Sequence, residues 1–568
     1  MTESMSRFKA PPAPSAEKLR GGYYTPPRVA RFIAAWAAAA GPRILEPSCG
    51  DGVVLSAVIE HLREARGAAG VPWVPDEVVG VELFEGEAAK ARRHGAPVVT
   101  GDFFEWFTDE RHGTFDAVVG NPPYIRFGSW TEDTRARAFV LMTKVGLRPN
   151  RLTNAWVPFT IAAVEALCPG GRLALVLPAE LLQVGYAAQL REYLVDRLGQ
   201  LTIVSFRHLL FDGVLQEVVL LLGERGQGPA LVRTVEYGDA ADLPRSGDIN
   251  EDSAFAPSLR HDREKWTKYY LDIAQIDVLR QVRAEALLGT FEDFALVDVG
   301  VVSGRNSFFC LTPSQVRERR LEHLCVPLVG RSVQLQGIVF EQEDLDKQIV
   351  EDTRCCLLAV PESYPIQTDP ALEQYVLEGE AAGVHLGYKC SIRRHWWSVP
   401  STWSPDAFMF RQIHSGPRVI ANLTEATSTD TVHRVRLIGD VTASQLATAL
   451  MNSATFAFSE VMGRSYGGGI LELEPREADA LPVPDPHGIP ARLTRTVDRL
   501  VREGDLEAAL DLVDRQLLVS QLGMPQADVT LLRSVWLDLR RRRSRRGRAT
   551  PSATHKTDPL VQSQAAPR

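Results

Sequence analysis

Asn121-Pro122-Pro123-Tyr124 stands directly after the apolar run "DAVVG", and its residue types point to one kind of chemistry. Two prolines fix the backbone beside an amide, so the Asn121 side chain and the Pro122 carbonyl can be held as two hydrogen-bond acceptors for a single amino group. An amine conjugated to a ring or a carbonyl is a poor nucleophile because its lone pair is delocalised. Two acceptors on its hydrogens favour a pyramidal nitrogen that can attack a sulfonium methyl in line. Tyr124 adds a ring on which a planar substrate can stack.

A second group of residues suits the methyl donor. In "LEPSCGDG", Glu46, Pro47, Ser48, Gly50 and Gly52 form a strand-to-helix turn in which glycines let the backbone pass close to a ligand. The spacing lacks the third glycine of a dinucleotide site, and an inward carboxylate at Glu46 repels a pyrophosphate and suits a cation. Glu82 ends the next apolar run, where a carboxylate can grip ribose hydroxyls. Asp102 ends the third, with Phe103 and Phe104 behind it to flank an adenine ring. Three acids at three successive strand ends fit a ligand with an amino acid, a ribose and an adenine but no phosphate, which describes S-adenosylmethionine. The competing reading makes Glu82 and Asp102 ordinary helix N-caps and the glycines an ordinary turn.

These residues need a scaffold of alternating elements, and the sequence supplies one. Short apolar runs at "RILEP", "EVVGVE", "APVVTG", "FDAVVG" and "GGRLALVLP" are separated by helix-like segments, which indicates a parallel sheet covered on both faces. The fold class is α/β, a doubly wound Rossmann-like methyltransferase domain with ligands beyond the carboxyl ends of the strands. "LTIVSFRHLLFDGVLQEVVLLLGER" reads as a closing hairpin. The expected divisions are a flexible leader at 1–20, the catalytic domain at 21–240, a linker and connecting helix at 241–290, a mixed α+β domain at 291–485, a helical segment at 486–538 and a disordered basic tail at 539–568.

"GGYYTPP", "LEPSCGDG", "GVELFE", "GDFF" and "GNPPYIRF", in this order, resemble the gamma-class adenine-N6 DNA methyltransferases of restriction-modification systems. The resemblance covers residues 21 to about 225. It implies that Tyr24, Thr25 and Pro26 contact the amino acid end of the cofactor, that Asn121 and Pro122 bind N6 of a flipped adenine in double-stranded DNA, and that an aromatic residue after the fifth strand flanks the base. Phe211 is the candidate for that last role, against the reading of a core Phe at a turn. N-P-P-Y is shared with glutamine-N5 and some RNA-base methyltransferases, so those substrates remain alternatives. So does a non-catalytic DNA-specificity subunit.

The second domain is similar in kind to a target recognition domain. Arg305, Asn306, Arg393, Arg394, Asn422 and Arg464 are the side chains suited to base edges and phosphates, and Trp396 could line a groove. A formal net charge of -8 over 568 residues gives no overall attraction to a polyanion, so DNA requires a local patch. The arginines from 540 to 548 are expected to add nonspecific DNA affinity. Seven cysteines without a C-x-x-C pair, and His395 and His433 without partner spacing, argue for no metal. No signal peptide or long apolar run is visible, so the expected location is cytoplasmic, away from membranes. A monomer working beside a cognate restriction endonuclease completes the expectation.

Overall fold

The computed structural model describes residues 25–69, 74, 77–125, 127–208, 210–211, 217–249, 264–466 and 469–546. The leader, Tyr24 and the end of the chain from 547 lie outside these residues.

The catalytic half is built on an eight-stranded sheet in the order β3-β2-β1-β4-β5-β7-β6-β8. Its members are β1 (Ile44–Glu46), β2 (Val78–Glu82), β3 (Val98–Thr100), β4 (Phe115–Gly120), β5 (Leu167–Pro178), β6 (Leu198–Phe206), β7 (Val218–Arg225) and β8 (Leu231–Tyr237). Strands β1 to β5 pair in parallel, β7 inserts antiparallel between β5 and β6, and β8 runs parallel to β6. The continuous apolar runs follow from burial on both faces. Leu173, Leu175 and Leu177 of β5 enter one core while Ala174 and Val176 enter the other, as a period of two requires. The helix Pro27–Ala38 begins with proline at its first turn and packs Val29, Phe32 and Ile33 into the second of these cores.

The first core is not confined to the catalytic half. Ala454, Ala457 and Phe458 of the helix Ser453–Met462, Leu518, and Leu532 and Val535 of the last helix, Gln526–Arg546, share it with β5 and β7. The expected cut at 486 therefore does not separate an independent helical segment. The tail expectation is also corrected for 539–546. These residues continue the last helix, and Arg543 is only 3% exposed, because its guanidinium meets buried partners far away in sequence.

Residues 291–485 hold mixed helices and short strands, and their core runs on into Leu493, Val497, Val513 and Trp536. A five-stranded sheet carries one core with Met409, Val419 and Val435, and a four-stranded sheet of short strands carries another around Phe308, Phe309 and Tyr375. Strands of two to six residues explain the irregular sequence signal there.

Candidate active site

The carboxyl ends of β1 to β4 deliver Glu46, Glu82, Asp102 and Asn121 to one cavity of about 430 Å³. The turn after β1 is shaped by glycines. Gly50 has φ +53° and Gly52 φ +88°, and a Cβ on Gly52 would stand 2.7 Å from the Cα of Ala91, so side chains are disfavoured by strain at both positions and by space at Gly52.

Each acid is held differently. Glu82 accepts the backbone N–H groups of Gly50 and Phe84, both at 2.9 Å, which ties the glycine turn to β2. Burial still pushes its carboxyl pKa above the usual range. Glu46 is 2% exposed and its Oε2 has no hydrogen-bond partner among the described residues. Burial drives its pKa well up, and Asp51 and Glu82 add like charge. Asp102 caps the short helix after it by accepting from Phe104 N–H (2.8 Å), and also accepts from Thr134 Oγ1 (2.7 Å) and Arg137 Nη1 (3.1 Å). Capping and cavity lining thus coexist at Asp102 rather than competing.

Asn121, Pro123 and Ile125 line the cavity; Pro122 is buried behind them. Ser48 Oγ donates to the Asn121 carbonyl at 3.4 Å, joining the glycine turn to the proline motif. Tyr124 donates its hydroxyl to the Val176 carbonyl at 3.1 Å, which anchors the ring to β5. Thr25, Pro47, Ser48, Gly50 and Phe103 lie in the same cavity wall, whereas Pro26 and Gly52 support it from outside. Sequence reasoning missed Trp130 and Phe159. Phe159 stacks on Phe103 at 5.2 Å, and Trp130 stacks near Phe104 at 6.3 Å while donating its ring N–H to the Ile125 carbonyl. No motif marks them, because they reach the cavity only by the folding of later segments.

Phe211 is 7% exposed and packs in the core with Phe206 and Val218, and like Tyr124 it is not among the residues lining the cofactor cavity. Four of the seven candidate DNA contacts have polar groups engaged by partners within the chain, three of them half-exposed and Trp396 buried. Arg393 donates to the carbonyls of Val302 (2.8 Å) and Ser303 (2.9 Å). The Asn422 amide donates to Pro405 and Ala426 carbonyls. Arg464 pairs with Glu477 at 2.8 Å, and Trp396 is a core residue whose ring N–H meets Glu380. Arg394 and Asn306 are exposed and Arg305 half-exposed, so these three remain on the surface. No group of three or more metal-ligating side chains occurs among the described residues.

Comparison with known proteins matches residues 10–230 to the family of N-6 DNA methylases and residues 263–518 to the C-terminal domain of the type II methyltransferase M.Eco57I. The chain is 21% identical over 475 residues to the type II methyltransferase M.AccI of Acinetobacter calcoaceticus, covering 80% of this chain and 83% of that one. Over 263 residues it is 30% identical to M.TthHB8I of Thermus thermophilus, covering 45% and 54%. Its fold resembles that of the type IIL restriction-modification enzyme MmeI, solved in complex with DNA, at a TM-score of 0.57 and 11% identity over 91% of this chain and 75% of that one.

Proposed function

We propose that this chain, which belongs to the adenine-specific N-6 DNA methylases and carries a type II methyltransferase C-terminal domain, methylates N6 of one adenine within a specific duplex sequence, using S-adenosylmethionine. The carrying observation is the convergence of Glu46, Glu82, Asp102 and Asn121 from four adjacent strand ends on one cavity.

The donor set fits the cofactor. The unpaired Glu46 oxygen is an acceptor for a cationic amino acid end, Glu82 retains lone pairs for ribose hydroxyls, and Asp102 with Phe103 serves the adenine. Bound there, S-adenosylmethionine supplies an activated methyl group to the target nitrogen. Asn121 Oδ1 and the Pro122 carbonyl accept the two N6 hydrogens and favour the nitrogen lone pair over ring conjugation. Tyr124, fixed on β5, offers its ring to a base drawn out of the duplex. The N6 proton leaves after the nitrogen has become cationic, so no side chain needs a tuned pKa to remove it.

Arg305, Asn306 and Arg394 are the remaining candidates for contacts to DNA, and a cognate restriction endonuclease is the proposed partner in the cell. Incubation with labelled cofactor and duplex DNA, followed by sequencing of modified bases, tests the reading. Label in RNA or in a protein glutamine but absent from DNA would overturn it.

A further inference from the structure

A second cavity, also of about 430 Å³, lies where the last helix crosses the end of the catalytic sheet, and Arg207, Glu236, Tyr270, Arg541, Arg542 and Arg545 line it. Four guanidinium groups meet two carboxylates there, Glu236 and Asp538, which leaves positive charge in excess. Glu236 is shared by Arg207, at 3.5 Å, and Arg542. Asp538 lies 3.6 Å from Arg541 and also accepts from Gln275 at 2.9 Å. Arg542 forms the floor, its guanidinium stacked 3.2 Å from the Tyr270 ring centroid and donating to Ser205 Oγ at 2.9 Å. Arg541 and Arg545 are exposed at the rim.

The excess charge stands out in a chain of net charge -8. The cofactor cavity is lined by Glu46, Asp51, Glu82, Glu87 and Asp102, and among the described residues by no lysine or arginine. Position supplies the second argument. Arg207 directly follows β6 and Glu236 lies near the end of β8, and both strands run in the same direction as β4, so the arginines share a sheet edge with Asn121. At ~4.8 Å per strand, β6 is about 14 Å and β8 about 19 Å from β4 across the sheet. Along a duplex rising ~3.4 Å per base pair, that is roughly four to six base pairs.

We infer that this cavity seats a DNA backbone phosphate four to six base pairs from the methylated adenine, a site that rests on the duplex DNA reading above. Bidentate guanidinium groups suit a phosphate. The seat carries no sequence information and adds register and affinity.

The test compares wild-type full-length chain with Arg541→Ala/Arg545→Ala, binding the methylated sequence and a scrambled duplex across a salt series. Both substitutions are at exposed side chains outside the cofactor cavity. The slope of log affinity against log salt is expected to fall by about 1, the contribution of the one seated phosphate, with equal weakening on both duplexes and unchanged turnover at saturating DNA. In duplexes carrying a single neutral methylphosphonate, the wild type should lose affinity at one position in the stated window and the variant should not. An unchanged slope, or the same methylphosphonate profile in both proteins, overturns the seat. Methylation of the same duplex by the wild type is measured in parallel, so absence of any DNA methylation removes the functional reading itself, while intact methylation with unchanged slopes removes only the seat.

Discussion

Asn121 and Glu46 illustrate how differently two residues of one cavity can contribute. In the proposed mechanism Asn121 accepts from N6 only as that nitrogen becomes pyramidal, so Asn121→Ala should lower turnover by roughly 10²-fold or more while leaving cofactor affinity and DNA affinity nearly unchanged. Single-turnover methylation alongside binding assays measures this, and near-normal turnover would remove the role. Glu46 instead carries a burial cost of its own. Its carboxyl pKa is raised by burial far above that of an unfolded chain, about 4.3. The folded state therefore holds a proton that the unfolded state releases. That stabilisation is complete below the unfolded pKa and is lost as pH rises through the folded one, where a charge must exist without water. Glu46→Gln should raise the melting temperature at neutral and alkaline pH, flatten its pH dependence, and weaken cofactor binding. Melting curves from about pH 5 to 9, a range that brackets neutrality, with and without S-adenosylmethionine report all three. Cofactor binding that survives Glu46→Gln undiminished would exclude the ammonium role.

Elements decide which of these residues can be read in advance. Strands buried on both faces announce themselves as uninterrupted apolar runs, which is why β1, β2, β4 and β5 are visible in the sequence. β8, "LVRTVEY", is not, because arginine, threonine and glutamate break its apolar run and only Val232 among its positions is buried. Nor can sequence decide which way an arginine faces. Arg393 and Asn422 have the chemistry for DNA, yet their donors are taken up by carbonyls of their own domain, a choice made by loop geometry. The glycine turn is legible because its constraint is local. Gly52→Ala places a methyl against Ala91 and forces φ +88° on a residue with a side chain, at a cost of about 1–3 kcal/mol. Loss of cofactor affinity should accompany it, since the same turn positions Gly50 on Glu82. Calorimetric titration with cofactor would detect this, and unchanged affinity would show that the turn tolerates displacement.

The whole molecule is joined through two adjacent arginines that composition alone assigns to a solvated tail. Arg542 reaches the catalytic sheet at Glu236 and Ser205, and Arg543 turns the other way. Its guanidinium pairs with Glu460, itself 2% exposed in its side chain, at 2.7 Å, and donates to the carbonyls of His414 (2.8 Å) and Gly469 (2.5 Å). The hairpin before Gly469 is gripped from the catalytic side as well, where the Gln183 amide exchanges two hydrogen bonds with the Ser465 backbone. One helix and one amide thus hold the C-terminal half against the catalytic edge. Such partners lie tens to hundreds of residues from residue 543, so no window of sequence contains the signal. Removing one member of a buried pair strands the other charge, typically at about 3–5 kcal/mol, whereas replacing both with apolar groups is often neutral. Arg543→Met should therefore destabilise the whole chain strongly, and Arg543→Met with Glu460→Met should recover much of that loss. The carbonyls that Arg543 serves keep the recovery incomplete, because they lose donors in both variants. Denaturant unfolding of the wild type, the two single variants and the double variant gives the coupling directly. Additive losses, with no recovery in the double variant, would mean that the carbonyl contacts rather than the ion pair hold the helix in place.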